Sequence, residues 1–228
     1  MTFSIVARAA GSGGTGLQFG MAIASSSPAV AARCAHARAG CGAVATQNIT
    51  DPSLGPRALD AMAAGATAPR ALATVLNSTP YGEYRQLLAV GREGPPAAHT
   101  GGRALGKHAF AIGQDAAAAG NLLAGTGVPA AMLETFAMST GPLAERLLLA
   151  LRAGLAAGGE AGPIHSAGLL VVRNVSWPVI DLRIDWAEHD PLGALQNLYQ
   201  IYAPQVDDYV GRALNPTHAP SYGVPGDP

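Results

Sequence analysis

Residues Thr2 to Arg8 alternate Phe3, Ile5 and Ala7 with Thr2, Ser4, Val6 and Arg8. That is the period-2 pattern of a β-strand. Chain ends fray unless packing ties them down. A strand beginning at residue 2 therefore commits the terminus to a sheet and gives the Thr2 hydroxyl a fixed address. If Met1 is removed, an α-amine shares that address. Such a placement is either chemistry or the ordinary use of a β-favouring residue near a terminus.

The rest of the chain falls into groups of like elements. A second strand is expected over Leu17–Ser25, joined to the first by the glycine-rich Gly11–Gly16 hairpin loop. A third, Gly42–Gln47, follows a polar excursion through Arg33 to Arg38. Asp51-Pro52 signals a helix start, with Asp as N-cap and Pro at the first helical position. That helix runs to about Ala64, and a second starts at Thr67-Ala68-Pro69. Strand-like runs return at Leu87–Val90, Ala97–Thr100 and Phe110–Gly113, with an apolar piece bracketed by glycines at Gly120–Gly125. Two helices come next, from Pro129 and from Pro142, the latter with a stripe of Leu143, Leu147, Leu148, Leu151 and Leu155. Ser166–Arg173 and Trp177–Trp186 read as closing strands, and Asp190-Pro191 opens a last helix. Residues 215–228 carry Pro216, Pro220, Pro225 and Pro228, and are expected to be an extended tail. Grouped strands and helices indicate an α+β fold, with residues 1–214 as a single domain. Two packed sheets with helices outside fit this order.

Composition narrows the function. Apolar residues make up 49% of the 228 and charged residues 13%, enough for a large core and too little charge for disorder. The net charge is −1 and Lys107 is the only lysine. No basic stripe is present, so neither nucleic acid nor an anionic membrane is an expected partner. No run reaches the ~20 apolar residues of a membrane-spanning helix, and the N-terminus lacks a signal-peptide pattern. Cys34 and Cys41 read as free thiols of a reducing compartment. A cytoplasmic protein is expected.

Three motifs fail on mechanism. Gly11-x-Gly13-x-x-Gly16 matches a dinucleotide fingerprint, but a strand-like segment follows where the pyrophosphate needs a helix N-terminus. Gly101-x4-Gly106-Lys107 imitates a phosphate loop, yet His108 stands where Ser or Thr should hold magnesium. Cys34-x-His36-x4-Cys41 offers three soft ligands without an evident fourth. No metal and no cofactor are expected.

Thr2 is the residue with a chemical case. A threonine hydroxyl is a weak nucleophile until a base takes its proton. The α-amine of a terminal threonine has an ordinary pKa of about 7.7, suited to that task. Asn121, next to Gly120, offers an amide donor for an oxyanion, or is a turn-forming residue. Gln47 ends the third strand and His99 ends another; each faces a pocket or merely terminates a strand. Asp181, Arg183 and Asp185 share one face of a closing strand, as a solvent edge or as a charged network near a site.

Taken together, these segments resemble the family named domain of unknown function 1028. The resemblance rests on Thr2–Arg8, Gly40–Gln47, Asp51–Leu59, Ala98–Gly101, Gly120–Leu123, Pro142–Leu148 and Asp181–Asp185, in the family's order over roughly residues 2–203. It implies an N-terminal nucleophile (Ntn) hydrolase-like fold: a four-layer α-β-β-α sandwich of two stacked, mainly antiparallel sheets. It places Thr2 where the nucleophile sits and makes Asn121 an oxyanion or substrate contact. The implied function is an amidohydrolase cleaving an amide or peptide-like bond of a small molecule after Met1 removal, in a homo-oligomer. The alternative is an inactive binding or assembly protein with the same fold. Gln47, His99, Asp181, Arg183 and Asp185 are then expected around the substrate. Ala9 replaces the acidic residue often found after Arg8, and Ser25–Pro28 and the Cys34 region also depart from the pattern. A helper lysine common among threonine-type relatives would have to be Lys107, be replaced by arginine, or be absent.

Overall fold

The structure is a computed structural model and describes residues 1–11 and 16–224. Strands β1 (Thr2–Ala10) and β2 (Leu17–Ser25) form an antiparallel hairpin in which Ala10 faces Leu17. The glycines at residues 11 and 16 thus join two strands, as expected; the loop tip, residues 12–15, lies outside the described residues. The remaining elements are α1 (Val30–Cys34), β3 (Ala35–Arg38), β4 (Gly42–Asn48), α2 (Leu54–Ala63), α3 (Ala68–Asn77), β5 (Arg85–Gly91), β6 (Ala97–Thr100), β7 (Ala109–Ile112) and β8 (Ala116–Asn121). They continue with α4 (Val128–Met138), α5 (Leu143–Ala156), β9 (Ser166–Val172), β10 (Ile180–Ile184), α6 (Pro191–Tyr202) and α7 (Val206–Leu214).

Among the described residues the strands make two sheets, one ordered β10-β9-β2-β1-β8-β7 and one ordered β3-β4-β5-β6. Every neighbouring pair is antiparallel. The terminal strand lies in the middle of the larger sheet, which is what ties it down. Its alternation divides cleanly. Phe3, Ile5 and Ala7 join a cluster with Met132, Leu147 and Leu151 of α4 and α5. Val6 joins a second cluster, which unites the larger sheet with Ala45, Leu88 and Val90 of the smaller one. A third cluster packs Val44, Leu87 and Ala89 against α2 and α3. The structure is therefore α+β, with two antiparallel sheets and helices.

Local differences from the sequence expectation have physical causes. Residues 30–38 form α1 and β3 in place of a loop, because the inward Val30, Ala31 and Cys34 seal one end of the space between the sheets. Ala116–Ala119 favour helix intrinsically, yet they form the buried strand β8 between β1 and β7. Asp51 does not cap α2 directly. Its carboxylate instead accepts from N and Oγ of the N-cap residue Ser53, two residues on, at 3.0 and 2.7 Å. The expected extended tail begins with a 3-10 turn at Pro216–His218, and Arg212 of α7 donates to the Pro220 and Ser221 carbonyls at 3.0 Å. Pro225 and Pro228 lie outside the described residues. No described helix is long and apolar enough to cross a membrane.

Candidate active site

The site is built where β1 begins. Thr2 pairs with Asn121 of β8. On the other flank Phe3 pairs with Ala24, so Ser25 closes β2 beside Thr2. Thr2 is buried, and its Oγ1 donates to the Met1 carbonyl oxygen while lying 3.4 Å from Ser25 Oγ. Ser25 Oγ donates to the same Met1 carbonyl and accepts from Ser27 N at 3.0 Å. Two hydroxyls thus converge on the peptide bond that precedes Thr2.

Behind Thr2 the two sheets are joined by a buried amide network. Ser4 Oγ donates to Gln47 Oε1 at 2.6 Å, and Gln47 Nε2 donates to Gln86 Oε1 at 2.7 Å. Asn121 Nδ2 donates to that same oxygen at 3.1 Å. Gln86 Nε2 donates to Thr100 Oγ1 at 2.9 Å and to the Gly120 carbonyl at 3.0 Å. A carbonyl can only accept, so Gly120 fixes which end of the Gln86 amide faces it. The Gln86 oxygen must then face Gln47 and Asn121, and both of those amides are oriented in turn. The one buried atom of this network without a partner is Asn121 Oδ1. It is an acceptor, while Nδ2 keeps a second hydrogen. Asn121 can therefore receive an N–H as well as donate to an oxyanion.

Across the open end of β1 lies Glu160, bridged to Leu123 and 5% exposed. Both carboxylate oxygens accept from Ser26 N at 3.1 Å. Burial pushes this carboxyl up to about 7, against the opposing pull of the terminal amine, Ser26 and His165. His165 is held by its Nδ1 at 3.0 Å from the Ala187 carbonyl and stacks on Trp186 at 4.4 Å.

Of the residues singled out in the sequence, Thr2, Asn121 and Gln47 come together here. His99 does not: it faces away from the opposite sheet, with Nε2 at 3.1 Å from the Gly82 carbonyl, and its neighbour Thr100 enters the network. Asp181 and Arg183 lie on the edge strand β10, separated from β1 by β9 and β2. Three strand spacings put them roughly 14 Å away. Arg183 grips Asp181 through two bonds of 2.8 Å, and Asp185 is likewise exposed. Lys107 donates to the Ala124 carbonyl at 3.0 Å. Cys34 and Cys41 are free and belong to different clusters, on opposite faces of the smaller sheet.

Three further participants have no individual role in the sequence pattern. Ser25 stands out only within the atypical Ser25–Pro28 stretch, which is able to line a pocket. Gln86 is masked by the apolar strand that contains it. Glu160 left a signal: it is a lone acid within Gly158-Gly159-Glu160-Ala161-Gly162, just after an amphipathic helix.

Comparison with known proteins agrees with this architecture. The model of the family of unknown function DUF1028 matches residues 2–195. Among solved structures, the DUF1028 protein SPO2555 of Silicibacter pomeroyi is 30% identical, with a TM-score of 0.82 over 91% of this chain and 89% of that one. The Anbu ancestral β-subunit of Yersinia bercovieri is a remote match, 12% identical with a TM-score of 0.43 over 89% and 97% of the two chains. No curated protein matches.

Proposed function

We propose, from the premise that this chain belongs to the DUF1028 family, that it is an N-terminal nucleophile amidohydrolase with Thr2 as its nucleophile. The observation that carries this reading is the setting of the Thr2 hydroxyl. It is buried at the start of a central strand, with Ser25 on one flank and Asn121 on the other. The order of the three apolar clusters supports a four-layer α-β-β-α arrangement, in which such a terminus opens between the sheets.

Met1 removal would free the α-amine and vacate the place of the Met1 carbonyl. As Thr2 Oγ1 bonds to an amide carbonyl carbon, its proton passes to the α-amine and negative charge gathers on the carbonyl oxygen. The free Asn121 Nδ2 hydrogen is a donor for that oxyanion, and Asn121 Oδ1 is an acceptor for a substrate N–H. Breaking the C–N bond returns the proton to the leaving amine and leaves an ester on Thr2. Water then hydrolyses the ester, releasing the acid and restoring Thr2. The substrate class is a small amide or peptide; His99, Asp181, Arg183 and Asp185 contribute little to its binding. A homo-oligomer with residues 1–214 as one folding unit completes the proposal.

The convergence of Thr2 and Ser25 on the Met1 carbonyl favours a second reading for any chain that keeps Met1. There the nucleophile is occupied and its base acylated, and the fold serves binding or assembly alone. Intact mass of protein from its native host decides whether Met1 leaves. For the processed form, a screen of small amides should find turnover that Thr2→Ala abolishes and Thr2→Ser retains in part; full turnover in Thr2→Ala rules Thr2 out.

A further inference from the structure

Strand β1 begins at Thr2, level with the last residues of its neighbours, Ser25 of β2 and Asn121 of β8, and beyond that end the chain runs on as Ser26 on one side and as Leu122 and Leu123 on the other. Glu160 closes this open end. Its backbone bridges Leu123 on one side and its carboxylate holds Ser26 N on the other. A carboxylate offers about four lone-pair sites, and the hydrogen bonds that reach this one come from Ser26, through its N–H and its hydroxyl. A buried charge with so little compensation needs an opposite charge. His165 exerts only a secondary attraction, and its Nδ1 is engaged by Ala187. The larger favourable charge interaction comes from the chain's terminal amine.

Loss of Met1 creates the matching need. The new ammonium would belong to Thr2, which is only 6% exposed and stands at the end Glu160 faces. We propose that Glu160 is the counter-ion of the Thr2 α-ammonium in the processed chain, a positioning residue that holds the amine beside Thr2 Oγ1. The carboxyl's rise to about 7 agrees with a site that lacks enough positive charge while Met1 remains. The pairing holds the amine in place beside Thr2 Oγ1, and the neutral fraction of that amine is the form that takes the Oγ1 proton. It rests on the removal of Met1 invoked above.

The test reads the amine and not the activity. Processed protein is acetylated briefly with acetic anhydride over a pH series, and the N-terminal peptide is quantified by mass spectrometry. Lys107 carries the chain's only other amine. A carboxylate neighbour raises an amine's pKa, so the Thr2 amine should react with a midpoint at or above its ordinary value of about 7.7. In Glu160→Gln the midpoint should fall by about one pH unit or more. An unchanged or raised midpoint in Glu160→Gln overturns the proposal. If that variant does not fold, a wild-type midpoint below about 7.7 overturns it, because burial without a counter-ion lowers an ammonium pKa. A barren amide screen leaves this titration standing, and a failed titration leaves Thr2 Oγ1 available as nucleophile.

Discussion

Gln86 of the smaller sheet donates to the Gly120 carbonyl of the larger one at 3.0 Å, and that single bond sets the direction of the amide network behind Thr2. Because Gly120 cannot donate, Gln86 Oε1 is turned toward Gln47 and Asn121, and Asn121 Oδ1 is left over. The orientation of Asn121 is thus set by Gln86, one hydrogen bond away on a strand of the other sheet.

Replacement of Gln86 by glutamate therefore tests the network's polarity. The ionised side chain sets an acceptor against the Gly120 carbonyl while burying an unpaired charge. A loss of about 3 kcal/mol is expected above neutral pH. At pH 4 the protonated acid still donates one hydrogen, so the loss should be smaller. Urea melts at both pH values check this; equal losses would mean that Gln86 orients nothing.

Ser25 makes a narrower prediction. Its hydroxyl contacts Thr2 Oγ1 and the Met1 carbonyl, yet Ser25→Ala removes only one small polar group from a packed strand end. Stability should fall by about 1 kcal/mol. In processed protein with a turned-over amide, kcat should fall by about tenfold or more, the range of a positioned proton-transfer or oxyanion partner. Paired melting and kinetic measurements separate the two effects, and an unchanged kcat removes Ser25 from the site.

How much of this was legible in the sequence depends on distance along the chain. The terminal strand, the β1–β2 hairpin and the leucine stripe of α5 are local patterns, and local patterns carry their own period. Thr2, Gln47 and Asn121 were visible as polar residues at strand ends. The partners were not, because the facing of one sheet on the other pairs Gln86 with residues about 35 positions away. His99 and Thr100 show how sharp the limit is. A strand alternates faces at every residue, so naming His99 chose the right strand end and the wrong face. Ala116–Ala119 hid β8 for the converse reason: alanine's propensity points to helix, and packing between two other strands overrode it.

The charged stripe on β10 should prove indifferent to any activity of Thr2. Asp181 and Arg183 are both more than a third exposed and bond to each other. Exposed ion pairs contribute about 0–1 kcal/mol. Double replacement of Asp181 and Arg183 by alanine should leave melting within a degree or two, and leave kcat and KM of processed protein within about twofold. A tenfold rise in KM would place the stripe in the substrate's path and displace the site as drawn.

Glu160 gives stability a pH dependence of definite sign. Its folded carboxyl sits at about 7, whereas an unfolded glutamate titrates near 4.3. Between those values the folded chain binds the extra proton, so this group's contribution declines as pH rises, and the cost is complete above about 7. Fully expressed, it amounts to about 3 kcal/mol in the chain that keeps Met1. Glu160→Gln lacks the titration and can still accept from Ser26 N through its amide oxygen. The variant should match the wild type near pH 4 and exceed it in stability by a growing margin up to pH 7.5. Chemical denaturation across that range measures the margin. A constant difference, or one that favours the wild type as pH rises, would mean that Glu160 is already compensated by a charge at the end of β1.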